Sequence, residues 1–141
     1  MRIVAPILMA LLAGATAASA CDVRIESAWI LAPPPKAATL AGYATLVNTS
    51  RKPQRVVGAE SLLADSVTLH ETMMHGDMAM MHDVPELLIP AGGKVELAPG
   101  GKHLMLMKLK KTPKAGDHVT ITLIDASGCR IAGDFVVRAR T

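Results

Sequence analysis

Aromatic residues are nearly missing from this chain, with one Trp, one Tyr and one Phe in 141 residues. A clear excess of positive charge is missing too: fifteen Lys and Arg stand against twelve Asp and Glu. Single-stranded nucleic acid is held by stacked rings in a basic groove, and duplexes by a basic face. Neither is available, which excludes nucleic acid as a partner. Cysteine is scarce, with only Cys21 and Cys129, one near each end. In an oxidising compartment such a pair reads as a disulfide, whose long loop would contribute about 4–5 kcal/mol in the chain-entropy picture. The alternatives are two unpaired thiols, or a lipidated Cys21 with Cys129 buried. Beyond residue 20 no segment is apolar enough for long enough to span a bilayer.

The first twenty residues, MRIVAPILMALLAGATAASA, are a different matter. Arg2 opens a basic start, an apolar stretch follows, and Ala18-Ser19-Ala20 has the small-residue pattern of a cleavage site. Residues 1–20 are therefore expected to be a signal peptide, and 21–141 a single domain in the periplasm of a bacterial-type exporter. A cysteine directly after the cut invites lipidation. Lipoprotein signals usually carry Leu three positions earlier, where this chain has Ala18, so anchoring at Cys21 is the less favoured reading.

Helical periodicity and internal repeats are absent from residues 21–141. Short runs alternating apolar and polar residues stand between turn residues: DVRIESAWI, ATLAGYATLVN, QRVVGAE, SVTLHE, ELLIP, KVELA, HLMLMKLK, HVTITLID and RIAGDFVVRAR. Many short strands at this spacing predict an all-β sandwich or barrel.

What the chain has in excess is methionine beside histidine. Of nine methionines, the seven outside the first twenty residues all fall between Met73 and Met107. The segment HETMMHGDMAMMH (His70–His82) alone holds five Met and three His. Methionine used only as core filler would be spread over the strands. On a strand, His103, Met105 and Met107 share one face while Leu104 and Leu106 take the other. A hairpin with His75-Gly76 as its two-residue tip would set Met73 opposite Met78 and His70 opposite Met81. Four ligands emerge: His70, Met81, His103 and Met105. Two imidazoles with two thioethers make a soft, neutral set suited to Cu(I) rather than to Zn²⁺, Ca²⁺ or Mg²⁺. Met73, Met74, His75, Met78, Met80 and His82 are auxiliary candidates, with a second copper, Cu(II), as a further expectation at this hairpin. Packing within the hairpin is the competing role for the methionines. Met107 is expected to pack beneath the site, and Trp29 either shields it or fills the core.

The spacing His70-x10-Met81-x21-His103-x-Met105 resembles the signature of the periplasmic copper(A) chaperone family, PCu(A)C. The block IPAGGKVELAPGGKHLMLMKLK and the short runs SAWI and TLHE are similar to it as well, so the resemblance covers nearly all of residues 21–141. It implies a cupredoxin-like Greek-key β-sandwich that holds one Cu(I) through these four residues. It also implies delivery to the copper(A) subunit of cytochrome c oxidase or to another copper assembly protein. The chain departs from the family pattern in three places. Gly76 precedes Asp77 at the hairpin tip, His82-Asp83 follows the second ligand where Arg-Pro is common, and the sequence runs to Thr141 without the His/Met-rich tail that some members carry.

Rival functions fare worse on the residues. A blue-copper electron carrier needs a Cys thiolate with two His and an axial Met, and no His or Met follows Cys129. An enzyme needs an open coordination position and a placed acid or base; four neutral ligands leave little room, so no turnover is expected. Copper sequestration without directed delivery uses the same ligands and stays open as the alternative. The chain is expected to act as a monomer.

Overall fold

β-Branched and aliphatic residues alternating with polar ones, cut by Gly, Pro and Asn turns, favour strands over helices throughout. The computed structural model describes residues 21–140, so the signal peptide expected over 1–20 lies outside the described residues. Ten strands form: β1 (Val23–Leu31), β2 (Thr39–Asn48), β3 (Gln54–Glu60), β4 (Ala64–His75), β5 (Met78–Asp83), β6 (Leu87–Ile89), β7 (Lys94–Leu97), β8 (Lys102–Leu109), β9 (His118–Asp125) and β10 (Arg130–Arg138). The all-β expectation holds, and no helix among the described residues is long and apolar enough to cross a membrane.

The hydrogen-bonded path runs β4-β8-β2-β1-β10-β9-β3 and returns to β4 through the Ala59–Val67 pair. The sheet thus closes on itself, which removes most free edges. β2 is long enough to serve two partners on one side, β8 along Thr39–Gly42 and β7 along Ala44–Val47. Inside lie Ile30, Leu46, Leu104, Leu106, Ile121, Leu123, Val137 and the single Phe, Phe135, all essentially without exposure. Each contributes about 1.5–3 kcal/mol of hydrophobic stabilisation.

Two polar details hold the frame. Buried Asn48 donates from Nδ2 to the carbonyls of Lys52, Ile89 and Pro90, while its Oδ1 accepts from the amide and hydroxyl of Ser50. Cys21 and Cys129 are joined in a disulfide with Cα atoms 5.9 Å apart, which ties the start of β1 to the β9–β10 turn. In β1 the regular alternation is interrupted. The register shifts between Glu26 and Trp29, with Ser27 at a positive φ of 51°. This bulge turns Ile30 into the core and leaves Trp29 half-buried on the outer face.

β5 is the outlier. It pairs only with β4, and all six of its residues are exposed. The β4–β5 hairpin therefore projects past the barrel, with solvent on both of its faces near the tip.

Candidate metal centre

Strand register alone puts the candidate donors on one face. His70 on β4 is paired directly with His103 on β8, and Thr68 with Met105. Directly opposed residues point to the same side of a sheet. The opposite side carries Leu104 and Leu106 into the core, so His103 and Met105 are turned outward by the same alternation. The two imidazoles meet edge to face with ring centroids 5.9 Å apart. His103 is nonetheless only 5% exposed, sheltered by its neighbours on both flanks.

The hairpin corrects one expectation. Its tip is Gly76-Asp77 rather than His75-Gly76, so His75 pairs with Met78, Met73 with Met80, Thr72 with Met81, and His70 with Asp83. Gly76 has φ 63° and Asp77 is not among the positive-φ residues. Glycine first with positive φ is the requirement of a type II′ turn, whose twist suits a two-residue hairpin. His70 consequently faces Asp83, not Met81. Met81 sits diagonally from His70, one row nearer the tip, on the same face. It is 58% exposed, the loosest of the four candidate donors.

Each histidine has one nitrogen engaged and one left over. His103 Nδ1 lies 3.2 Å from the Gly101 carbonyl, which can only accept, so Nδ1 carries the proton and Nε2 keeps its lone pair. The carbonyl is aimed by the Pro99-Gly100 turn between β7 and β8, where Ala98 N donates to Lys102 O and Gly101 N to Ala98 O. In His70, Nε2 donates to Asp83 Oδ1 at 2.7 Å, with Thr68 Oγ1 3.1 Å away. His70 Nδ1 is buried and has no hydrogen-bond partner. A buried polar atom without a partner costs free energy unless something else fills the role, and a metal ion is a natural occupant for an imidazole lone pair. Thr68 in turn donates towards Met107 Sδ at 3.9 Å, which ties that thioether to the wall of the site.

A ring pair flanks the centre. Tyr43 stands 6.5 Å from His103 between centroids, Trp29 stacks on Tyr43 at 4.7 Å, and the Arg138 guanidinium lies 4.9 Å over Trp29. Burial raises the Tyr43 phenol above its ordinary value, which keeps it uncharged beside the donors. Sequence reasoning missed Tyr43, Thr68 and Gly101, and noted Asp83 only as a departure. The signal for Asp83 was its position two residues after Met81, which puts both on one strand face.

The auxiliary candidates divide by face. Met74 lies on the same side as His70 and Met81, while Met73, His75, Met78, Met80 and His82 lie on the reverse. Among the described residues, no three His, Cys, Asp or Glu side chains gather as a metal site. The side chains that share a face with the His70–His103 pair include the thioethers of Met105 and Met81, donors that suit a soft ion better than zinc or calcium.

Fold and site together define a class of protein: a cupredoxin-like β-sandwich that presents imidazoles and thioethers from a sheet wall and an outlying hairpin. The chain belongs to the family described as "Putative lipoprotein LpqE-like", which matches residues 23–137, and so to the PCu(A)C group that its four-residue spacing resembles. "Putative lipoprotein Lxx21020" of Leifsonia xyli subsp. xyli is 36% identical over 107 residues, 75% of this chain but 63% of that protein's length. The solution structure of CuI-DR1885 from Deinococcus radiodurans is 40% identical, covering 89% of this chain and 83% of that one at a TM-score of 0.65. The copper-bound PCuAC domain from PmoF2 superposes at a TM-score of 0.70 over 87% of this chain and 97% of that one. At 24% identity it speaks for the fold alone.

Proposed function

We propose that this protein is an exported copper chaperone that holds one Cu(I) between His70, Met81, His103 and Met105 and gives it up by ligand exchange. The observation that carries the reading is the His70–His103 pair. Two opposed imidazoles each have one nitrogen tied to an acceptor and one left bare, with thioethers on the same face. The likeness to CuI-DR1885 supports it. Copper is cargo here, not a resident cofactor, and no redox step is required. Both thioethers are neutral, so an incoming partner ligand displaces one without separating opposite charges. The exposed Met81 is the donor to be displaced first, while His103, Met105 and His70 keep hold from the sheet wall. Nothing in this scheme turns over a substrate.

Delivery is directed to the copper(A) subunit of cytochrome c oxidase or to another copper assembly protein, and the carrier works as a monomer in the periplasm. A deletion strain grown at low copper is expected to lose oxidase activity. Raised copper sensitivity with normal oxidase would instead identify sequestration. The lipoprotein names of the family and its relative raise the question of an anchor. A Cys21 sulfur bonded to Cys129 cannot also carry a thioether-linked lipid, so we propose the unanchored form; the mass of the non-reduced protein from membrane and periplasmic fractions decides this.

The direct test is Cu(I) titration of residues 21–141 against a competing chelator. His103→Ala is expected to weaken binding by more than about 100-fold, because even outer-shell partners of a metal ligand are worth about 10–100-fold. Met81→Ala is expected to cost less affinity and to speed release of copper. Unchanged affinity in both variants, with circular dichroism like that of the parent, would remove the assigned site.

A further inference from the structure

The reverse face of the β4–β5 hairpin carries donors that the four-residue site does not use. Three same-face rows can be read from the register: Glu71 with His82, Met73 with Met80, and His75 with Met78. His75 and His82 thus sit at opposite corners, separated by the Met73–Met80 row. Same-face rows are roughly 7 Å apart along a strand, which would hold unguided side chains well away from each other. Their ring centroids are nevertheless only 5.8 Å apart, at an interplanar angle of 67°. Both rings lean inward over the methionine pair.

We infer that this face is a second, independent Cu(I) site, formed by His75 and His82 with Met73 and Met80 beneath them. Two imidazoles bound through nitrogen at about 2 Å to one ion have centroids on the order of 5–6 Å apart, so little movement is needed. Met73 and Met80 are 46% and 44% exposed, which leaves both thioethers free to turn towards the ion. Glu71, opposite His82 on this face, has its Oε1 3.5 Å from Lys102 Nζ across the β4–β8 pair, which turns the carboxylate towards β8. With no carboxylate or thiolate in the set, the donors are soft and uncharged and favour Cu(I) over Cu(II) or zinc. The ribbon then carries one copper site on each side, and the reverse one lies wholly on a segment that contributes nothing to the core.

The test is anaerobic titration with Cu(I) and a competing chelator, together with sedimentation to follow mass. The parent protein is expected to take two Cu(I) as a monomer. His75→Ala with His82→Ala should reduce this to one and leave the affinity of the remaining copper within a few-fold of the parent's tighter site. Met81→Ala with Met105→Ala, which spares the buried His103, should weaken the other copper and leave the reverse site filled. X-ray absorption of that variant should then show nitrogen and sulfur together in the copper shell. A parent protein that takes one copper, unaffected by the histidine pair, overturns the reverse site whatever becomes of the first. So does a second copper that binds only as the protein dimerises, or one whose shell contains no sulfur.

Discussion

Asp83 bears on His70 in two ways that a ligand list would not show. Its carboxylate fixes which nitrogen of the ring carries the proton, and it fixes the ring's rotation against the sheet. Outer-shell acceptors of this kind raise ligand basicity and reduce the freedom lost on binding. Asp83→Ala is therefore expected to weaken Cu(I) binding by about 10–100-fold with little effect on stability, since Asp83 is itself largely exposed. Asp83→Asn keeps an accepting oxygen and should restore most of the loss. Equal affinities for the two variants in a chelator competition would show that the hydrogen bond does not matter. His103 has a comparable partner, but a backbone carbonyl rather than a side chain. No single substitution removes it cleanly. The shared face of His103 and Met105 was legible in the sequence, because alternation on a strand sets it without any knowledge of the fold. The donors' hydrogen-bond partners were not legible. Gly101 and Thr68 acquire their roles only through the β4–β8 pairing and a turn between strands.

At the scale of the element, the hairpin shows how a wrong register can still give the right face. Moving a two-residue tip by one residue moves every cross-strand partner by two. Since side chains alternate with a period of two, faces are conserved while partners change. Met81 stays on the side of His70 although it is Asp83 that lies opposite. Strand β1 is the converse case. The alternation of Val23, Ile25 and Trp29 predicts one face for all three, but the bulge at Ser27 changes parity and hands the core position to Ile30. A bulge is set by partner strands on both sides, and nothing in VRIESAWIL announces it. The tip itself offers a prediction. A Cβ on Gly76 would meet nothing within 4 Å, so the penalty of Gly76→Ala comes from its positive φ alone, at least about 1 kcal/mol. β5 contributes no buried residue, so this penalty should open the hairpin locally and leave the barrel intact. Amide exchange at Met78–Met81 is expected to quicken at least about five-fold, with the β9 and β10 amides unchanged. A matching fall in protection across the whole sheet would mean that the hairpin is part of the cooperative unit.

For the molecule as a whole, the β9–β10 turn and the start of β1 are held by one carboxylate and one disulfide acting together. Asp125 is buried at the end of β9, where burial alone would raise its pKa. The Ser127 hydroxyl and the amides of Cys129 and Ser127 donate to its Oδ1, and these bonds outweigh burial and hold the carboxyl below its ordinary value. The same bonds shape the β9–β10 turn that presents Cys129 to Cys21. A lowered folded-state pKa means that the stabilisation is present above the unfolded value, about 3.9, and is lost as pH falls through the folded one. Asp125→Asn should therefore lower stability at pH 7 by about 1–2 kcal/mol, from weaker hydrogen bonds to a neutral acceptor. It should also flatten the loss of stability expected of the parent as pH drops below about 4. Denaturant unfolding at pH 7, 5 and 3 measures both effects. Replacing Cys21 and Cys129 together with Ala is expected to cost about 2–5 kcal/mol at every pH. Neither change touches a strand that bears His70, Met81, His103 or Met105, so Cu(I) affinity of the folded variants should equal the parent's. A drop in affinity that tracks the drop in stability would mean that the donor face is assembled by global folding strain. It would then not be the preformed wall that the β4–β8 register describes.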